Sequence, residues 1–171
     1  MAEQTAHNEH SKWERILRIL EKDVRTTPEQ MATMLGLPEE EVREALAHLE
    51  RERVIVKRKA VINWERLGKE EVTALIEVKV SPQREVGFNA VAERIYRFPE
   101  ARSVYLVSGT YDLAVIVAGP TMREVAEFVA LKLAPIDGVQ STVTHFMLKR
   151  FKEDGDILAE AEELRRLPIV P

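Results

Sequence analysis

The sequence predicts an α+β chain in two successive parts: three short helices, then a half in which strands and helices alternate. From Trp13 to Leu49 apolar residues return every three or four positions, the spacing of one helix face. From Val72 to Val80 they return every second position, the spacing of a strand. Cap and turn residues separate the runs, among them Thr27-Pro28, Gly36, Pro38, Thr121 and Pro135 to Gly138.

At 171 residues the chain has room for one domain or two small ones, on a prior of roughly 100–200 residues each. It contains no cysteine, which excludes disulfides, thiolate metal sites and cysteine nucleophiles. No apolar run approaches the ~20 residues needed to cross a bilayer. The opening MAEQTAHNEHSK has no apolar signal core, so a soluble, cytoplasmic protein without membrane partners is expected. Net charge is −4, with 12 basic and 13 acidic side chains in residues 1–66 and 13 and 16 in the remainder. There is no global basic footprint for nucleic acid. Contact with a polyanion must come from local patches or from several copies acting together.

Residues 1–11 are polar and expected to fray. Trp13, Ile16, Leu17 and Leu20 make the apolar stripe of the first helix. Thr27 caps the second, Pro28 suits its first turn, and Gln30 completes a capping box. Met31, Met34 and Leu35 form its apolar face, and Gly36 stops it in a left-handed conformation. Pro38 restarts the chain as a third helix with Val42, Ala45, Leu46 and Leu49 inward. With Ala32 at the fifth position of a helix-turn-helix, Gly36 is the ninth, Leu37 the tenth and Val42 the fifteenth. A small residue at Ala32 lets the helices approach, and Gly36 makes the turn. Val54-Ile55-Val56 and Ala60-Val61-Ile62 then read as a short hairpin around Lys57-Arg58-Lys59. Residues 12–62 are therefore expected to form a winged helix-turn-helix, with residues 63–71 as a connector.

The second half reads as a strand at 72–80, a helix at 85–98, strands at 103–107 and 113–118, a helix from Thr121 to about Leu133, and a strand at 139–151. In the first helix Phe88, Val91, Ala92, Ile95 and Tyr96 are the apolar set. The order βαββαβ is ferredoxin-like, with both helices on one side of an antiparallel sheet. Leu113, Val115 and Val117 then point one way and Ala114, Ile116 and Ala118 the other; Val104 and Leu106 likewise oppose Tyr105 and Val107. Both faces are apolar, where a solvated face alternates polar. An open face of that kind marks an interface, here with another copy of the chain. Residues 152–171 read as a solvated tail with one short helix at 157–167.

The reading helix raises an electrostatic conflict. Its outward residues are Glu39, Glu40, Arg43, Glu44, Ala47 and His48. Glutamates at a helix N-terminus complement the dipole by about 0.3–1 kcal/mol each. They repel phosphates, although a glutamate can accept a hydrogen bond from cytosine N4. Lys57, Arg58 and Lys59 either contact phosphates or form a solvated turn. A reader with three to five phosphate contacts binds weakly and loses affinity steeply with salt, and linking copies recovers ~100- to 10,000-fold.

The ordered pair of domains, with KAVINWERLG, SVYLVSGTYDLAVIV and STVTHFMLKRF in place, resembles the Lrp/AsnC feast/famine transcriptional regulators over residues 12 to about 151. The resemblance implies double-stranded DNA as a partner, homodimers that associate further, often as tetramers of dimers, and an amino-acid effector bound between dimers. Carried onto this chain, the effector positions are Ser108, Gly109, Thr110, Tyr111 and Asp112 of the loop, and Gln140, Thr142 and Thr144 of the last strand. Gly109 permits close backbone approach, Asp112 can take an ammonium, and the threonines offer hydroxyls. The other reading is a tight turn in which Asp112 bonds to backbone and Tyr111 packs. The resemblance implies neither catalysis nor a cofactor, and no metal site is expected. Relatives with both domains also include tetrapyrrole decarboxylases. Only His48 and His145 lie outside the N-terminal dozen as proton-transfer candidates, and no histidine–arginine cluster accompanies them. The chain has no G-x-G-x-x-G, phosphate loop or H-E-x-x-H. PEEE at the start of the reading helix departs from the small polar and basic residues usual in the family. That departure leaves a metabolite sensor that no longer reads DNA as the alternative.

Overall fold

A computed structural model describes the backbone of residues 2–69, 71–81 and 87–159, with side chains from residue 9 onward. The chain forms two compact units, residues 1–61 and 62–171.

The first unit holds α1 (Ala2–Lys22), α2 (Pro28–Leu35) and α3 (Glu39–Arg51). Helix α1 begins at Ala2, not after residue 11 as expected, because no glycine or proline interrupts residues 2–22. Ile16, Leu20, Met31, Ala32, Val42, Ala45 and Leu46 form the core, with Trp13, Ile19, Leu35, Leu37 and Ile55 packed around it. The capping box on α2 is complete. Thr27 Oγ1 accepts from Gln30 N at 3.3 Å, and Thr27 N donates to Gln30 Oε1 at 2.9 Å. Gly36 takes φ 66°, its N–H bonds to Ala32 O, and Leu37 N reaches the same carbonyl at 3.0 Å. Such a left-handed stop is cheap only for glycine. Met34, expected inside, is 64% exposed. It sits to one side of the arc defined by Met31, Ala32 and Leu35, and eight residues of helix cannot bury both flanks.

The expected wing does not form as a hairpin. Residues 54–63 contain neither strand nor helix. Two three-residue runs bury too little to hold an isolated ribbon, and Lys57-Arg58-Lys59 offers no left-handed turn residue.

The second unit carries a 3-10 turn at Glu65–Leu67, then β1 (Val72–Val80), α4 (Phe88–Tyr96), β2 (Ala101–Leu106), β3 (Leu113–Gly119), α5 (Met122–Phe128) and β4 (Val139–Phe146). Helix α5 continues as a π-helical stretch over Val129–Leu133. Thr121 caps α5 by accepting from Glu124 N at 3.1 Å. The four strands are antiparallel in the order β2-β3-β1-β4, which is the ferredoxin-like sheet. Ala74, Ile76, Val78 and Val80 of β1 pack with Leu113, Val115 and Val117 of β3 beneath Val91, Ile95, Val125, Phe128 and Leu133. Tyr96 is exposed, unlike the other apolar residues assigned to α4. Residues 85 and 86 of the expected helix lie outside the described residues. Strand β4 stops at Phe146 rather than running to Phe151. Met147 N makes a last bond to Thr73 O at 2.9 Å, and β1 supplies no partner beyond its own start at Val72.

Past the sheet, Lys152–Glu153 (β5) and Asp156–Ile157 (β6) pair as a small hairpin. Ile157, where a helix was expected to start, is therefore in a strand; the rest of that helix lies outside the described residues from 160 on.

The end of the sheet is closed by a side chain. The β1–β3 ladder ends at Val78 opposite Leu113, and Asp112 N donates to Val78 O at 3.0 Å. Two residues on, the Val80 N–H has no β3 backbone left. The Asp112 carboxylate accepts it at 2.8 Å, with Lys79 Nζ 3.4 Å away. Val80 is nearly fully buried, so Asp112→Ala leaves a buried donor unpaired. The expected cost is about 1–3 kcal/mol, measured as a lower denaturation midpoint in urea with an unchanged slope. A midpoint equal to that of the parent would remove this bond from the account of the fold.

Candidate functional site

Two surfaces carry the sequence-derived candidates. The first is the outer side of α3. Val42, Ala45, Leu46 and Leu49 are buried on its inner side, which turns Glu39, Glu40, Arg43, Glu44 and Ala47 to solvent. Pro38 at the helix start provides no side-chain cap. Three carboxylates therefore sit on the first turn, whose amides precede the first intrahelical bond from Val42 N to Pro38 O, and there the helix dipole favours them.

Several of these charges are engaged within the unit. Arg43 pairs with Glu39 one turn earlier. Lys12 of α1 reaches Glu41 at 2.5 Å, and Arg58 reaches Glu50 at 2.6 Å. Glu40 and Glu44 have no ion-pair partner among the described residues. His48, expected to point outward, lies against Trp13 with ring centroids 4.8 Å apart, and its Nδ1 is 3.0 Å from Arg51 Nη2. Lys57 and Lys59 lie in the same irregular stretch as Arg58, and all three are exposed. The inter-helix pair Lys12–Glu41 and the Trp13–His48 stack were not anticipated. Both join residues roughly 30 positions apart, and only the helix-turn-helix register could have suggested that they meet.

The second surface is one end of the C-terminal sheet. Ser108, Gly109 and Thr110 are exposed at the tip of the β2–β3 loop, and Tyr111 and Asp112 are partly buried at its base. Val107 N donates to Asp112 O at 2.9 Å and closes the loop. The Asp112 carboxylate is occupied by the Val80 amide, in line with the turn reading. Thr142 pairs across from Val78 and Thr144 from Ile76. Paired residues share a face, so both hydroxyls lie on the helix-covered side and are half-buried. Gln140 is exposed where the β1–β4 register shifts near Val80. Strand β1 separates the loop from β4. The two groups share one end of the sheet but stand about two strand spacings, ~10 Å, apart.

The opposite sheet face is uncovered. Leu75, Glu77 and Lys79 of β1 stand beside Ala114, Ile116 and Ala118 of β3, Ser103 and Tyr105 of β2, and Ser141, Val143 and His145 of β4. Tyr105 and Val143 are each more than half exposed. His145 Nε2 lies 3.1 Å from Glu77 Oε1, a pair that places both polar side chains within this apolar surface.

Among the described residues no group of acidic or histidine side chains could hold a metal ion, and no helix is long and apolar enough to cross a membrane.

The chain's likenesses agree with this architecture. Residues 73–157 match the Lrp/AsnC ligand binding domain. That match extends the resemblance six residues past Phe151, to include the small hairpin. The HTH-type transcriptional regulator YugG of Bacillus subtilis is 48% identical over 157 residues, covering 91% of this chain and 95% of that one. The HTH-type transcriptional regulator FL11 of Pyrococcus furiosus is 31% identical over 143 residues, covering 84% and 91%. The feast or famine regulatory protein of M. tuberculosis, solved in complex with L-methionine, shares the fold with a TM-score of 0.68 at 23% identity, covering 85% of this chain and 96% of that one. These relatives are regulators, and the decarboxylase alternative falls with them. A helix-turn-helix followed by this sheet, in a chain nearly half identical to YugG along most of its length, belongs to the Lrp/AsnC family of transcriptional regulators.

Proposed function

We propose that this chain binds double-stranded DNA as an assembly of copies and that a small molecule, an amino acid, modulates the binding. The carrying observation is the trihelical unit. Ala32 is buried at the helix crossing, Gly36 makes the left-handed turn, and the outer side of α3 is left to solvent. This geometry presents one helix to a major groove. Glu39, Glu40, Arg43 and Ala47 are the positions offered to base edges, and Lys57, Arg58 and Lys59 those offered to phosphate.

The charge pattern makes each copy a poor reader. Arg43 must exchange Glu39 for a base edge and Arg58 must exchange Glu50 for phosphate, and Glu40 and Glu44 oppose the approach. Two or more copies held together compensate through effective concentration. The uncovered sheet face, with Leu75, Ile116, Val143 and Tyr105, is the surface that suits such pairing. It joins like to like across a two-fold axis, as homodimer interfaces do.

For the effector, the M. tuberculosis neighbour carries L-methionine, which supports an amino acid here. Ser108, Gly109, Thr110 and Tyr111 supply exposed loop amides and hydroxyls for a carboxylate, with Gln140 across β1. Asp112 organises the loop and keeps spare lone pairs for an ammonium. Thr142 and Thr144 contribute only from the helix-covered side. A cytoplasmic location follows from this role.

The deciding experiment is a mobility shift at low salt on the DNA upstream of the protein's own gene, with and without L-methionine and the other amino acids. A shift that an amino acid strengthens or weakens is expected. Absence of any shift would favour the metabolite sensor that no longer reads DNA.

Alanine at Lys57, Arg58 and Lys59 together is expected to weaken binding on every sequence. It should also flatten the slope of log K against log salt by up to about 2.7, for three phosphate contacts at ~0.9 each. An unchanged slope takes these residues out of the interface. Ile116→Asp places a charge at the centre of the uncovered face. Light scattering is expected to report assemblies for the parent and monomers for the variant, with the fold intact by circular dichroism. A variant that stays assembled places the interface elsewhere.

A further inference from the structure

A groove of about 420 Å³ lies where the sheet ends beside the connector. Glu65, Gly68, Lys69 and Glu71 of the connector form one wall, and residues 147–150, which leave β4, form the other. The space has a local cause. Met147 N makes the last ladder bond, to Thr73 O at 2.9 Å. Beyond it, among the described residues, no backbone bond joins the connector to residues 148–150. Gly68 takes φ 72° and donates to Glu65 O at 3.0 Å, which closes the connector on itself instead. The volume falls in the range of small-molecule sites, roughly 300–1,000 Å³.

The groove carries charge of both signs. The Arg150 side chain is only 25% exposed. Its guanidinium stands 3.9 Å from Glu65 and 3.8 Å from Glu153, too far for a hydrogen bond to either. A guanidinium has five N–H donors in a planar fork, and among the described residues no acceptor takes one. The two lysines of the lining are drawn onto rings: Lys69 lies 5.0 Å from the Trp64 centroid, and Lys149 5.5 Å from that of Phe151. Of the two carboxylates, Glu71 holds Arg102 at 3.0 Å, while Glu65 meets Arg150 without a hydrogen bond. The lining also has an apolar part. Leu148 is 90% exposed, with Met147 beside it.

We propose that this groove is a second ligand site, selective for a small zwitterion with an apolar side chain, that is, an α-amino acid. Arg150 receives the carboxylate through two parallel N–H bonds. Glu65 receives the ammonium, and Met147 and Leu148 cover the side chain. A simple anion is repelled by Glu65 and Glu71, and a simple amine by Arg150 and the lysines. A molecule with both charges answers both. The site is distinct from the loop closed by Asp112. That loop bonds to Val80, and the groove opens beside Thr73, near the other end of the nine-residue strand β1. At ~3.4 Å per residue the two are separated by roughly 20–25 Å. The groove adds a position to the effector reading above, and any consequence for DNA rests on that reading.

Met147 is a reporter inside the groove. In protein labelled at its methionine methyl groups, L-leucine is expected to move the Met147 resonance saturably, with Met147→Leu providing the assignment. Isocaproate lacks the ammonium and isoamylamine lacks the carboxylate. Each is expected to bind at least about tenfold more weakly than L-leucine, because each leaves one charged partner unmet. Arg150→Gln is expected to weaken L-leucine at least about tenfold with the fold intact by circular dichroism. Asp112→Asn, which keeps an oxygen for Val80 N, is expected to leave the Met147 response unchanged. A Met147 resonance that does not move overturns the site, and equal binding of L-leucine and isocaproate overturns its selectivity for a zwitterion. A response that survives Arg150→Gln and vanishes in Asp112→Asn belongs to the loop and overturns the groove. Should Arg150→Gln not fold, the two analogues decide the matter on the parent. Binding of L-leucine at Met147 with no effect on DNA leaves the groove standing, and it is the regulatory reading that fails.

Discussion

The C-terminal unit depends on the side-chain alternation of β1. This strand lies between β3 and β4 and bonds to both. Its even-numbered residues from Ala74 to Val80 fill the core, and Thr73, Leu75, Glu77 and Lys79 face the other way. A slip of one residue would exchange the two sets and place Glu77 and Lys79 beneath the helices. Burial of four apolar side chains therefore fixes the register, and the register fixes everything attached to the strand ends. The β2–β3 loop is closed onto Val78 O and Val80 N through Asp112. The start of β4 is placed opposite Val80, and the connector enters beside the end of β4. The candidate effector positions are thus a consequence of where β1 begins and stops.

The same strand explains why the uncovered face is mixed rather than polar. A face meant for water would carry charges along β1, β3 and β4 alike. Here charge is confined to Glu77, Lys79 and His145, and Glu77 and His145 lie against each other. Their pairing leaves Leu75, Ile116, Val143 and Tyr105 as a connected surface. Removing such side chains from water returns ~25 cal/mol per Å², a drive that exposed ion pairs worth ~0–1 kcal/mol do not match. Assembly through this face is the reading that gives these residues a physical role.

How legible this was in the sequence varied with the range of the interaction. Period-2 and period-3.6 patterns located β1, β3 and the buried residues of α1 and α3, because burial acts on every turn or every second residue. Thr27, Gln30 and Gly36 were readable because caps are local chemistry. The wing is not legible in the same way. Val54-Ile55-Val56 has strand propensity, but propensity without a packed face does not hold a ribbon. The small C-terminal hairpin has one local signal, the favoured two-residue turn Asp154-Gly155, but its flanks of two residues are too short to show an alternating pattern. Thr142 and Thr144 come from the family resemblance, and only the register with Val78 and Ile76 reveals which face they take. The sequence leaves Asp112 between two roles, because the Val80 amide that it accepts lies 32 positions away.

The acidic start of α3 and the need for several copies are linked by one balance. Glu39, Glu40 and Glu41 favour the helix through its dipole, and Glu41 also holds α1 through Lys12. The helix is thereby stabilised in the absence of DNA by the groups that oppose its entry into the groove. Stability of the reader and affinity of the reader are set against each other within four residues. Such a module discriminates poorly alone, and weak single contacts are what make a joined array responsive. When each half-site contributes little, a modest change in spacing between copies alters whether two are engaged together. A strong reader would hold its site whatever the spacing. On the function proposed above, control would belong to the geometry of the assembly, and the weak helix would be the condition for it.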